Sequence, residues 1–122
     1  MEKSKKVGLI EDDTSMQSLL KTLLELEGFR VVLIPDRSGL TKILEVILTE
    51  KPDILLLDVN LKNVNGFDIL QQVQSFPERS AMRIVMSSGM DLRDECLRAG
   101  ADSFLMKPYM PDELIKKITE SV

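Results

Sequence analysis

Seven residues able to do chemistry stand directly after short apolar runs. Glu11, Asp12 and Asp13 follow "VGLI", Asp58 follows "ILLL", Ser87 and Ser88 follow "IVM", and Lys107 follows "SFLM". A carboxylate at the lip of a buried run costs free energy unless something pairs with it. Two or three carboxylates, completed by a backbone carbonyl and water, are a hard oxygen set that suits Mg²⁺. A carboxylate can also attack phosphorus and form an acyl phosphate. A cation and a lysine would then neutralise the phosphoryl oxygens, and a hydroxyl would donate to them. Singly, most of these residues have plainer explanations. Acids at 12 and 13 suit a helix start, the serines suit a turn at Gly89, and a lysine is ordinarily solvated. Asp58 resists this, because no cap is needed directly after a buried strand.

The elements that would hold these residues alternate along the chain. Apolar runs at 7–10, 31–34, 54–57, 84–86 and 103–106 read as strands, nearly all-apolar as when both sheet faces are covered. Between them lie helical patterns. Met16, Leu19, Leu20, Leu23 and Leu24 recur at helical spacing with Gly28 as the terminating glycine, and Leu40, Ile43, Leu44 and Ile47 form a stripe ending before Pro52. A short helix opens near Gly66, and "FPERSA" reads as a polar loop. "DLRDECLRAG" turns Leu92, Cys96 and Ala99 inward, and "PDELIKKITESV" starts with proline and acids in its first turn. Five β–α units predict an α/β fold, a doubly wound parallel sheet of flavodoxin-like order 2-1-3-4-5. Ligands of such sheets sit beyond the carboxyl ends of the strands, at the switch between strands 1 and 3. Strands 1, 3, 4 and 5 are consecutive there, so their polar ends converge. Strand 2 ends blandly, in Pro35-Asp36.

Composition narrows the class. The 122 residues suit a single domain, 1–122, with no output domain. Net charge is −4, which argues against direct nucleic-acid binding. One cysteine, Cys96, excludes an internal disulfide and fits a reducing, cytoplasmic compartment. No run is long enough for a membrane span. Histidine is absent, which removes imidazole catalysis and leaves zinc and copper poor candidates.

Over essentially its whole length the chain resembles the receiver domain of two-component response regulators. "EDD" matches the acidic cluster, "ILLLDVNL" the phosphoacceptor strand, "IVMSSG" the switch strand and "RAGADSFLMKP" the lysine strand. The resemblance implies Asp58 as phosphoacceptor and Mg²⁺ on Asp12, Asp13, Asp58 and the Asn60 backbone carbonyl. It also implies Ser87 and Phe104 as the switch pair, Lys107 on the phosphoryl oxygens, and a cis Lys107–Pro108 bond. Such a domain catalyses only its own phosphorylation and dephosphorylation. The implied partners are a sensor histidine kinase or histidine phosphotransfer protein, then an effector protein, an output domain or a second copy of the chain. Helix 4, strand 5 and helix 5 would form the readout face, carrying Arg93, Arg98, Asp102, Lys116 and Lys117. Receivers often have proline four residues after the phosphoacceptor, where this chain has Lys62. Losing that ring loosens the loop. Two other readings compete: a receiver-like interaction module not regulated by phosphorylation, and a phosphohydrolase with an Asp nucleophile. The second requires an acid at position 60, which is asparagine.

Overall fold

The computed structural model describes residues 5–120. Five strands, β1 (Lys6–Ile10), β2 (Arg30–Leu33), β3 (Ile54–Asp58), β4 (Arg83–Ser88) and β5 (Ser103–Met106), form one sheet. All pairings are parallel, in the order 2-1-3-4-5 that the alternation predicts. Four helices connect them, α1 (Thr14–Leu26), α2 (Leu40–Glu50), α3 (Gly66–Val73) and α4 (Arg93–Arg98), and α5 (Pro111–Glu120) follows β5. Two single 3₁₀ turns lie at Asp36–Ser38 and Arg79–Ala81, the second within the segment "FPERSA" read as a loop.

The period-2 pleat sorts each strand's side chains to opposite faces. Leu55, Leu57, Ile84, Met86 and Phe104 pack with Ile43, Ile47, Ile69, Leu70 and Cys96 of α2, α3 and α4. Ile54, Leu56, Val85 and Leu105 pack with Leu20, Leu24, Leu114 and Ile118 of α1 and α5. Strand β3 is buried from end to end because it lies between two strands and two helical layers.

Two inward assignments change. Leu19 is 53 % exposed, because the buried stripe of α1 runs through Leu20 and Leu24. Ala99 is exposed as the C-cap of α4, and Ala101, one residue past Gly100, is buried instead. Gly28 has φ +94°, the left-handed conformation expected of a terminating glycine. The Lys107–Pro108 bond is cis.

Candidate functional site

Register places the strand ends side by side. Ile10 lies opposite Leu57, Asp58 opposite Ser87, and Ser88 opposite Met106. Glu11, Asp58, the two serines and Lys107 therefore gather along one edge of the sheet. The ammonium of Lys107 is 3.0 Å from Glu11 Oε1 and 3.0 Å from Asp58 Oδ2. Glu11 and Asp58 are only 3 % and 6 % exposed, so one half-buried lysine balances two buried acids.

Burial pushes the Glu11 carboxyl above its ordinary value, and the Asp58 charge adds to this, while the bond and charge of Lys107 oppose it. Burial alone would lower Lys107. Its hydrogen bonds to Glu11 and Asp58 and their charges outweigh that and hold the ammonium above its ordinary value. The pair leaves Lys107 a fixed cation next to the Asp58 carboxylate.

Glu11, Asp12 and Asp58 each offer an oxygen, and these oxygens lie within 4.8 Å of one another. Three converging hard donors are a set a small divalent cation can use. The trio differs by one residue from the one expected. Asp13 is exposed and caps α1, its Oδ1 accepting the Met16 N–H at 3.0 Å. Its own N–H donates to Glu11 Oε2 at 3.2 Å. Glu11, at the end of strand 1, stands in the trio where the resemblance implies Asp13. A cap three residues before Met16 was the sequence signal for Asp13. Asp12 is held by the backbone N–H of Lys62 at 2.9 Å, and the Gln17 amide donates to the Glu11 backbone carbonyl.

The serines separate in the same way. Ser88, two residues after Met86, shares its strand face with Met86 and Phe104, which are paired in register. Its hydroxyl donates to Asn60 Oδ1 at 2.8 Å and accepts the Met90 N–H at 3.0 Å. Ser87, the expected switch residue, is on the opposite face, in register with Leu105. Phe104 is buried. Asn60 follows the strand end, and its N–H donates to Asp58 Oδ1 at 3.3 Å.

Strand β2 does not end blandly. Asp36 is 6 % exposed, and its Oδ2 accepts both the backbone N–H and the side-chain amide of Asn63, each at 3.1 Å. Its partner is 27 residues away, which local pattern cannot reveal. Of the residues expected on the readout face, Asp102 is structural: it accepts the Ile84 N–H at 2.8 Å and pairs with Arg79 and Arg83. A cavity of about 560 Å³ between α1 and α5 is lined by none of the site residues.

The family model for the response regulator receiver domain matches residues 7–119. The chain belongs to that family. It is 35 % identical over 114 residues to the transcriptional regulatory protein CpxR of Escherichia coli, covering 93 % of this chain and 47 % of CpxR. Identity to the transcriptional regulatory protein YxdJ of Bacillus subtilis is 30 % over 117 residues, 96 % of this chain and 50 % of YxdJ. The chain thus spans about half the length of these curated relatives. Among solved structures, a CheY-like receiver domain from Methanospirillum hungatei superposes with TM-score 0.83 at 29 % identity, covering 96 % of this chain and 92 % of that one. The chemotaxis regulator CheY4 of Vibrio cholerae, at 21 % identity, gives TM-score 0.87 over 98 % and 99 % of the two chains and shares the fold. The receiver of the sensor kinase PA1611 from Pseudomonas aeruginosa, also 21 % identical, holds magnesium in its active-site cleft. No helix among the described residues is long and apolar enough to cross a membrane.

Proposed function

We propose that the chain is a phosphoacceptor switch in which Asp58 receives a phosphoryl group from a phosphohistidine on a partner. The observation that carries this is the buried Asp58 carboxylate, held 3.0 Å from Lys107 and within 4.8 Å of the carboxylates of Glu11 and Asp12. Mg²⁺ fits the donor set, since three convergent carboxylate oxygens with a single lysine as counter-charge leave an excess of negative charge. Glu11, Asp12, Asp58 and, by family resemblance, the Asn60 backbone carbonyl would hold the ion. The bound ion supplies positive charge to phosphoryl oxygens, which lowers the barrier to attack by an anion.

The chain's own residues supply the remaining parts. An Asp58 oxygen attacks phosphorus, a new O–P bond forms and the donor's N–P bond breaks. The imidazole nitrogen leaves with the electron pair. Lys107 is already at the carboxylate and pairs with the phosphoryl oxygens as charge develops. Ser88, rather than Ser87, is the hydroxyl available to respond, because it shares a face with Phe104. Once drawn toward the phosphoryl group it releases Asn60 and Met90, and Phe104 repacks in the space it leaves. The readout reaches the surface through α4, β5 and α5, where exposed Met106 and Met110 add apolar area for a protein partner. These 122 residues contain no histidine, so a phosphohistidine donor lies outside them, as in a histidine kinase or a phosphotransfer protein.

The test is incubation with acetyl phosphate, read by intact mass. Wild type should gain one phosphoryl group with Mg²⁺ and none with excess chelator, and Asp58→Asn should gain none. Unmodified wild type under these conditions would favour the non-phosphorylated interaction module.

A further inference from the structure

The loop between β3 and α3 is tied to three other strand ends. Asn60 accepts the Ser88 hydroxyl, Lys62 N–H reaches Asp12, and Asn63 reaches Asp36. The last two ties use consecutive backbone amides, gripped by carboxylates that follow β1 and β2. Asp12 and Asp36 also line one cavity of about 210 Å³. The two grips are not equivalent. Asp12 belongs to the acidic trio, so binding a cation draws on the same carboxylate that holds the Lys62 amide. Asp36 lies outside the trio, so its hold on Asn63 does not compete directly with a cation for a carboxylate.

Two further observations give this grip a purpose. Lys62 has two free backbone torsions where a proline would have one, so hydrogen bonds rather than a ring must restrain the loop. A carboxylate as buried as Asp36 is costly unless its bonds are needed, and its Oδ2 collects two from one residue.

We infer that Asp36 and Asn63 form a positioning pair that fixes the loop carrying Asn60, and thereby sets the affinity of the acidic site for Mg²⁺. This rests on the reading of the site above. Neither residue touches the reacting atoms. Their effect passes through the loop to the Asn60 carbonyl, as the outer partners of metal ligands do.

The experiment is calorimetric titration of the folded chain with Mg²⁺, comparing wild type, Asp36→Asn, Asn63→Ala and the double variant, with urea midpoints measured in Mg²⁺-free buffer. Each single variant should raise the Mg²⁺ Kd about tenfold. The double variant should raise it by less than the product of the two, because both substitutions weaken the same pair of bonds. A merely structural tie would lower the urea midpoint and leave the Kd unmoved, which would overturn the pair's role. If Asp36→Asn does not fold, Asn63→Ala decides alone, since it removes the side-chain donor of an exposed residue and leaves only the backbone N–H on Asp36. Wild type that binds no Mg²⁺ would overturn the site reading itself, an outcome separate from wild-type binding with unaltered variants.

Discussion

Lys107 is shared between two buried carboxylates, and much of the site's behaviour follows from that arrangement. Replacing it by methionine leaves Glu11 and Asp58 without a counter-charge in a place where water reaches them poorly. Lys107→Met should lose about 1–3 kcal/mol of stability in Mg²⁺-free buffer, less than a fully buried pair would because the lysine is partly solvated. Added Mg²⁺ should restore part of it, as read from urea midpoints. The pH dependence has a definite sign. A raised Glu11 pKa means the folded state holds its proton longer, so stability is lost as pH rises from about 4.5 through the folded value. Glu11→Gln should lack that loss, and denaturation midpoints of the two proteins across the acid range would show whether it does. Lys107, also raised, contributes through neutral pH and loses its contribution only as pH climbs through its folded value, above 10.5.

Elements aim these residues, and two helices and the turn before a third make separate predictions. Helix α1 begins on the Asp13 cap. Asp13→Ala should cost about 1 kcal/mol of stability yet leave the Mg²⁺ Kd within experimental error, whereas Asp12→Asn should weaken it strongly. A matching loss of Mg²⁺ binding in Asp13→Ala would put Asp13 back among the ligands. Helix α3 begins at Gly66, where a Cβ would lie 2.5 Å from the Asp58 carbonyl oxygen and 2.8 Å from the Val59 Cα. The backbone of the strand end cannot yield cheaply, so Gly66→Ala should destabilise by roughly 1–3 kcal/mol and slow acetyl phosphate labelling. Unchanged unfolding midpoints would contradict this packing. Between β5 and α5, burial pushes the Tyr109 hydroxyl up to about 12, with the Glu11 and Asp58 charges adding and Lys107 opposing. The unfolded tyrosine ionises first, so the fold loses stability between pH 10 and about 12. Phenolate absorbance should titrate near the upper value, and Tyr109→Phe should lose less stability across that window.

At the scale of the whole molecule, the alternation of apolar runs with helical stripes reads as a parallel sheet with helices on both faces. It makes 2-1-3-4-5 the leading order, which the family resemblance supports, and so points to the edge where the site forms. Resolution failed at one residue in runs of equivalent residues. "EDD" and "SS" offer neighbours of the same chemistry, and pattern alone does not choose between them. The geometry of the strand ends decides: β1 and the cap of α1 single out Glu11 and Asp12, and the pleat of β4 turns Ser88 toward Phe104. Asp36 was illegible for a different reason, since its partner lies across the sheet edge in another loop. On the proposed function, this geometry serves to put one phosphoryl group on Asp58. The most direct measurement is borohydride reduction of acetyl-phosphate-treated protein, followed by peptide mass mapping. Reduction should convert Asp58 alone to homoserine, only when Mg²⁺ was present during labelling. Modification at another acid, or equal conversion without Mg²⁺, would contradict the account.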